Sequence, residues 1–127
     1  MKSYLKSGSL SEDQIQCDFF SWIYLQERVW PELQLMFHIA NGGSRHPLEA
    51  IKLKRMGVRR SVPDVFIAVP KGQYHGLWIE FKSDKGEQTV GQVEMFGQLR
   101  AQGYRCEVCR TWQDAIGITK TYLEIVS

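Results

Sequence analysis

Apolar side chains recur along this chain at two spacings, one typical of helices and the other typical of strands. Three segments have the helical spacing of three and four residues, and each is flanked by a residue that favours a helix end. They span residues 12–27, 47–56 and 89–102, next to Ser11, Gly57 and Gly103. A fourth helix is predicted after Thr111, whose hydroxyl can cap its first turn.

Four shorter segments have the alternation or the continuous apolar run that is typical of strands. They span residues 33–40, 65–69, 77–82 and 103–110. In the first of them, Leu35, Phe37 and Ile39 are predicted to share one face. The resulting order is helix, strand, helix, strand, strand, helix, strand, helix. This order predicts an α/β fold, with a mixed sheet of about four strands and helices on both of its faces.

The second and third predicted strands are separated by a turn rich in proline and glycine, so we expect them to pair as an antiparallel hairpin. If Val69 pairs near Leu77, then Asp64 lies beside Glu80 and Lys82 at one end of the sheet. Two acids and one amine therefore converge next to apolar runs. A solvated strand face could carry such charges, but the closeness of the apolar residues makes a functional site the better interpretation.

Carboxylates that lie close together repel each other, and each resists ionisation unless a cation neutralises it. Carboxylate oxygens suit Mg²⁺ or Mn²⁺, which keep open positions for water and phosphate. A neighbouring lysine can orient or deprotonate an attacking water and can stabilise charge in the transition state. The pattern of Asp64, Glu80 and Lys82 therefore indicates metal-assisted chemistry on a phosphate.

Length and charge bound these interpretations. The 127 residues are predicted to form one domain, with residues 1–9 as a loose N-terminal arm. The net charge of +2 is too small to indicate nucleic-acid binding by itself. No stretch is long and apolar enough to span a membrane, and the first residues lack the apolar core of a secretory signal. With an odd number of cysteines, these features predict a reducing, intracellular location.

Three motifs resemble the VRR-NUC family, the virus-type replication-repair nucleases of the PD-(D/E)xK restriction-endonuclease-like superfamily. The motifs are Gly57-Val58-Arg59, Pro63-Asp64 and the segment Gly76–Lys82. The resemblance covers about residues 12–123 and implies a restriction-endonuclease-like core. It also implies a role in DNA replication or repair, in the cytoplasm of a bacterium or of a phage-infected cell.

The resemblance implies a set of site residues. Glu12, Asp64 and Glu80 would bind Mg²⁺ or Mn²⁺, with the backbone carbonyl of Phe81 as a further ligand and Lys82 as the catalytic lysine. Two glutamines, Gln16 and Gln92, would support them. The family carries an acid in its first helix with a glutamine four residues later, and Glu12 with Gln16 matches this spacing. Asp13 is the competing acid, and it points further from the apolar face.

Candidate DNA contacts lie between the first strand and Asp64. The family has an Asn-Gly-rich loop near its active site, and backbone amides in such a loop can approach a phosphate. A basic segment follows the loop and leads directly to Asp64, and it could equally be a solvated helix face. The candidates are Asn41, Gly42, Gly43, Arg45, Arg59 and Arg60. His38 is expected to be structural.

The resemblance implies a metal-dependent, structure-specific DNA endonuclease that acts on branched DNA such as four-way (Holliday) junctions. Short members of the family that stand alone are homodimers, and two antiparallel strands of a junction need two cuts. Three alternatives stay open. The protein could be a nuclease of the same fold that acts on flaps or linear DNA ends, a non-catalytic nucleic-acid-binding module, or a structural partner in a replication or packaging machine.

Overall fold

The computed structural model describes residues 10–40 and 46–125 of the chain. Four helices are present in that part: α1 (Glu12–Gln26), α2 (Pro47–Arg55), α3 (Val90–Ala101) and α4 (Trp112–Leu123). Four strands accompany them: β1 (Met36–His38), β2 (Val65–Ile67), β3 (Leu77–Phe81) and β4 (Arg105–Cys109), with a 3-10 helix (Pro31–Leu35) before β1. The predicted N-terminal arm lies outside the described residues.

The strands form one sheet in the order β1-β2-β3-β4. β2 is antiparallel to β1 and β3, whereas β4 is parallel to β3. Parallel neighbours need a crossover between them, and α3 provides it. The prediction of a mixed α/β sheet of four strands is therefore confirmed.

Helices cover both faces of the sheet. On one face α1 packs against α4, and the ring of Phe19 in α1 lies 5.6 Å from the ring of Phe81 in β3. Residues of β3 alternate between the faces, so Glu80 points the other way from Phe81. On that second face Gln92 of α3 donates a hydrogen bond to Glu80. The apolar core therefore lies between the sheet and the helices α1 and α4, and a polar cluster lies on the opposite face of β3.

Local sequence explains where the helices begin. The Ser11 hydroxyl accepts the N–H of Gln14 at 3.1 Å, as predicted for the cap of α1. At α3, Thr89 and Gln92 form a reciprocal capping box, which satisfies two backbone groups that the helix cannot pair itself. Gly57 ends α2 with a φ of +104°, a conformation that suits glycine.

The predicted register of the hairpin is wrong by two residues. Ile67, not Val69, pairs with Leu77, and Val65 pairs with Ile79. The connection between β2 and β3 is longer than predicted, and Lys71 and Tyr74 form an isolated bridge within it. A shift of two residues keeps every side chain on its predicted face. The corrected register brings Asp64 across from Glu80 instead of Lys82.

The first strand is shorter than predicted, and its buried face differs. Residues 33–35 belong to a 3-10 helix, which Pro31 begins and in which Leu33 is buried. Met36 is buried. Phe37, on the opposite face of the sheet, is 45% exposed and packs on Phe66. The prediction failed because Leu33 and Met36 are three residues apart, which is a helical rather than a strand spacing.

Candidate active site

Asp64 lies just before β2 and is held from both sides. Its carboxylate Oδ2 accepts the backbone N–H of Phe81 at 2.8 Å. Its backbone carbonyl accepts the N–H of Ile39 at 2.8 Å and the Nδ1–H of His38 at 2.7 Å. These contacts join Asp64 to β1 and to β3, so both its backbone and its carboxylate are fixed.

Glu80 and Lys82 lie at the end of β3, and both are buried. Glu80 Oε2 lies 3.7 Å from Lys82 Nζ and accepts a hydrogen bond of 3.2 Å from Gln92 Nε2. The other oxygen of Glu80, Oε1, is buried and has no hydrogen-bond partner among the residues described here. A buried oxygen without a donor is unfavourable unless something else satisfies it.

Burial and mutual repulsion determine the protonation of the two acids. Burial, followed by the charge of Asp64, raises the pKa of Glu80 to about 8, and the charge of Lys82 opposes this shift. Burial also raises the pKa of Asp64, although the hydrogen bond from Phe81 and the charge of His38 oppose it. Ionising both acids together is therefore unfavourable in the protein alone, and a bound cation would relieve this.

Glu12, the first residue of α1, lies on the same side of the molecule as these acids. Its charge raises the pKa of both Asp64 and Glu80. Its Oε2 is 3.5 Å from the point that a Cβ on Gly86 would occupy, so the loop after β3 passes beside it. Asp13, the competing candidate, is exposed. The structure therefore brings Glu12 toward the pair, as the resemblance implied.

The two predicted supporting glutamines have different surroundings. Gln92 caps α3 through its Oε1 and contacts Glu80 through its Nε2, so one side chain joins the helix to the acid. Gln16 instead lines a groove with Phe20 and His38. Within the described part of the chain it forms no hydrogen bond with the acids, and its supporting role stays a prediction.

His38 lies beside the candidate site, which the pattern along the chain did not indicate. A structural role stays the prediction for this residue: its ring donates a hydrogen bond to the backbone carbonyl of Asp64, and its charge opposes the rise in the pKa of the Asp64 carboxyl. Because the carbonyl accepts, Nδ1 carries the proton and Nε2 is the basic nitrogen of the neutral ring. His38 reaches Asp64 because it pairs with Val65 in the sheet. The pattern along the chain does not reveal this pairing.

The candidate DNA contacts are partly described. Asn41, Gly42, Gly43 and Arg45 lie outside the described residues. Arg59 and Arg60 are exposed in the turn between α2 and Asp64, next to Ser61 with its unusual φ of +71°. A non-glycine residue at positive φ is strained and frequently occurs near functional sites.

The residues present fit a divalent cation that keeps water and substrate ligands. Among residues 10–40 and 46–125, no three His, Cys, Asp or Glu side chains could hold a metal by themselves. Mg²⁺ typically takes only one or two carboxylates from the protein and completes its shell with water and phosphate. The unpaired oxygen of Glu80 and the nearby carboxylate of Asp64 supply such a pair. Glu12 and the Phe81 carbonyl stay predicted further ligands.

The fold and site together define a class of protein. A mixed four-stranded α/β sheet with Pro-Asp before one strand and Glu-x-Lys at the end of the next is the arrangement of the restriction-endonuclease-like nucleases. A solved structure described as a VRR_NUC domain protein is 30% identical to this chain, with a TM-score of 0.76. The match covers 91% of this chain and 90% of the other.

The chain therefore belongs to the VRR-NUC family of nucleases. A scan against protein-family models and a search of curated proteins found no match. No helix in the described part of the chain has the length and apolar character needed to cross a membrane.

Proposed function

We propose that this protein is a metal-dependent, structure-specific DNA endonuclease that hydrolyses phosphodiester bonds in branched DNA, such as four-way junctions. The observation that carries this proposal is the convergence of Asp64, Glu80 and Lys82 at the end of β3. The three residues have the types and positions of the family motif, and the electrostatics of the two acids favour a bound cation.

Asp64 and Glu80 would hold Mg²⁺ or Mn²⁺, with Glu12 and the Phe81 carbonyl as further ligands. The metal, when bound, supplies an activated water and neutralises charge on the phosphate. Lys82, whose ammonium lies 3.7 Å from Glu80, would orient the attacking water and stabilise the negative charge that develops on the phosphate oxygens. Gln92 would keep the Glu80 carboxylate in place through the hydrogen bond to Oε2.

DNA binding is supported by the exposed arginines beside the site. Arg59 and Arg60 precede Asp64 by four to five residues, so phosphates that they contact would lie near the bond to be cut. Contacts of this kind release counterions, and affinity should therefore decrease steeply as salt is raised. A flat salt dependence would place the DNA-binding surface elsewhere.

A homodimer suits the proposed substrate because a junction needs two cuts in antiparallel strands, which a twofold axis relates. Two alternatives from the sequence are kept for the same experiment. A nuclease of this fold could act on flaps or on linear DNA ends, and a binding module could keep the fold without cutting.

The experiment is a cleavage assay with labelled four-way junction, splayed, flapped and linear duplex DNA, run with Mg²⁺, Mn²⁺ or EDTA. The Asp64→Ala variant is the control. Paired cuts in the junction that need metal and disappear in the variant support the full proposal. Cuts confined to flaps or ends would keep the nuclease and reject the junction as its substrate. Tight binding without any cut would favour the binding module.

A further inference from the structure

A groove of about 950 Å³ lies between α2 and the first part of α3. Four of its lining residues are apolar and half-buried: Leu53, Val58, Val62 and Met95. Three others are exposed cations: Lys54, Arg59 and Arg60. This α2–α3 groove therefore presents an apolar wall together with a positively charged border.

The α2–α3 groove reaches the candidate active site through one residue. Gln92 lines the groove and also donates its Nε2–H to Glu80 Oε2 at 3.2 Å. A ligand in the groove would thus lie one side chain away from the acids. The amide oxygen of Gln92 already accepts the N–H of Thr89, so both ends of the amide are engaged.

In the part of the chain that the structure describes, no carboxylate forms an ion pair with the cations of the groove. Within residues 10–40 and 46–125, ion pairs join Lys71 to Glu32, Lys82 to Glu80 and Arg105 to Glu107. Lys54, Arg59 and Arg60 take part in none of them. Exposed cations beside an apolar wall match a ligand that has both an anionic group and a flat apolar surface, and a nucleotide has both.

We propose that the α2–α3 groove binds one unpaired nucleotide of the DNA, adjacent to the bond that is cut. The base lies against Leu53 and Met95, and its phosphate is neutralised by Arg59 and Arg60. The volume lies within the range of small-ligand sites. This inference rests on the proposed function, because it supposes that DNA is the substrate.

Such a site would explain preference for DNA structure without preference for sequence. A paired base is stacked inside the duplex and can enter a groove only at the cost of unpairing, whereas an unpaired base at a branch avoids that cost. Apolar contact and charge accept any base.

The test measures binding in EDTA, so that it does not depend on cleavage. Fluorescence anisotropy gives the affinity for three labelled duplexes: one fully paired, one with a short bulge of normal nucleotides, and one with the same bulge made abasic. The abasic bulge keeps the phosphates and the bend but removes the bases. We expect the normal bulge to bind about tenfold more tightly than the abasic one.

Two pairs of variants connect this preference to the groove. Met95→Ala should bring the normal and abasic bulges to similar affinity, whereas Val93→Ala, an exposed position on α3 outside the groove lining, should keep the tenfold difference. Lys54→Ala should weaken binding of bulged DNA more than Lys52→Ala does, since Lys52 lies on the same helix but does not line the groove.

Equal affinity for the normal and abasic bulges would overturn the inference, and so would a preference that survives Met95→Ala. If Met95→Ala changed the oligomeric state in sedimentation and the bulges bound equally, the groove would belong to an interface with a second copy. Cleavage of branched DNA with equal bulge affinities would keep the proposed function and reject only the nucleotide site. A bulge preference without cleavage would keep the nucleotide-binding groove and reject the proposed nuclease activity.

Discussion

The carboxylate of Asp64 accepts the backbone N–H of Phe81 over 2.8 Å, one residue after Glu80 in β3. This hydrogen bond fixes a carboxylate from the turn before β2 against the end of the next strand. It places two acids together where burial already disfavours their ionised forms, because Asp64 and Glu80 each have a raised pKa. The protein therefore holds two acids close together. Metal binding, proton binding and the cleavage rate should all depend on this arrangement.

Asp64→Asn should abolish cleavage while the fold persists. The asparagine oxygen can still accept the Phe81 N–H, but the charge that would bind a metal is lost. We expect a decrease in cleavage of at least about 100-fold, with DNA affinity in EDTA retained. Asp84→Asn, at an exposed acid in the loop after β3, is the matched control and should cut normally. An active Asp64→Asn protein would remove this residue from the site.

Lys82→Met should slow cleavage without weakening DNA binding. Methionine keeps most of the buried volume of the side chain but removes the ammonium that lies 3.7 Å from Glu80. General acid–base and charge-stabilising groups typically contribute about 10²–10⁴-fold to a rate, and we expect a loss in that range. The comparison is Lys85→Met, an exposed lysine in the following loop. Single-turnover rates at saturating enzyme separate this effect from binding, and an unchanged rate would contradict the role of Lys82.

The metal-free protein should lose stability as the pH rises from about 5 to about 8. The pKa of Glu80 is raised from 4.5 in the unfolded chain to about 8 in the folded protein. The folded state therefore binds the proton more tightly across this window, and the free energy of unfolding decreases as that proton is lost. One pKa unit corresponds to about 1.4 kcal/mol, so we expect a decrease of roughly 2–4 kcal/mol.

Urea unfolding in EDTA at several pH values measures this dependence. Glu80→Gln should flatten it and should make the protein more stable than wild type at pH 8. Glu94→Gln, at an exposed position on α3, should leave the curve unchanged. A wild-type stability that is constant or increasing between pH 5 and 8 would show that Glu80 is not protonated in the folded protein.

Substitutions of Gln92 should separate its helix cap from its contact with Glu80. Gln92→Glu keeps a capping-box residue at the start of α3 but places a second carboxylate beside Glu80. Gln92→Ala loses both functions and should destabilise the protein by about 1 kcal/mol. We expect near-normal helix stability at pH 7 but reduced cleavage for Gln92→Glu. Thermal unfolding and cleavage rates are measured on both variants. If the cap were the only role of Gln92, Gln92→Glu would be as stable and as active as wild type, and only Gln92→Ala would be impaired.

Glu12→Gln and Asp13→Asn should have different effects although the residues are neighbours. Only Glu12 acts electrostatically on Asp64 and Glu80, and both substitutions remove one carboxylate from the first turn of α1. Their effects on the helix dipole should therefore be similar, a few tenths of a kcal/mol. Cleavage and Mn²⁺ affinity should decrease for Glu12→Gln alone. Equal effects would leave Glu12 with a helix-terminal role only.

The sequence by itself determined most of the helices and strands and where the candidate site residues lie along them. Helix caps such as Ser11 and Thr89 are local, and the alternation in β3 is local too, so both can be predicted from neighbours along the chain. Asp64, Glu80 and Lys82 could be predicted to lie at strand ends for the same reason, because the apolar patterns of the two strands are local.

Only the tertiary structure decided the features that depend on contacts between residues far apart along the chain. The pairing of β2 with β3 puts Asp64 across from Glu80, and the pairing of β1 with β2 brings His38 to Asp64. Burial of Glu80, which raises its pKa to about 8, depends on α3 and on the neighbouring strands. Desolvation and sheet register are properties of packed, non-local surroundings, and a pattern along one chain does not contain them.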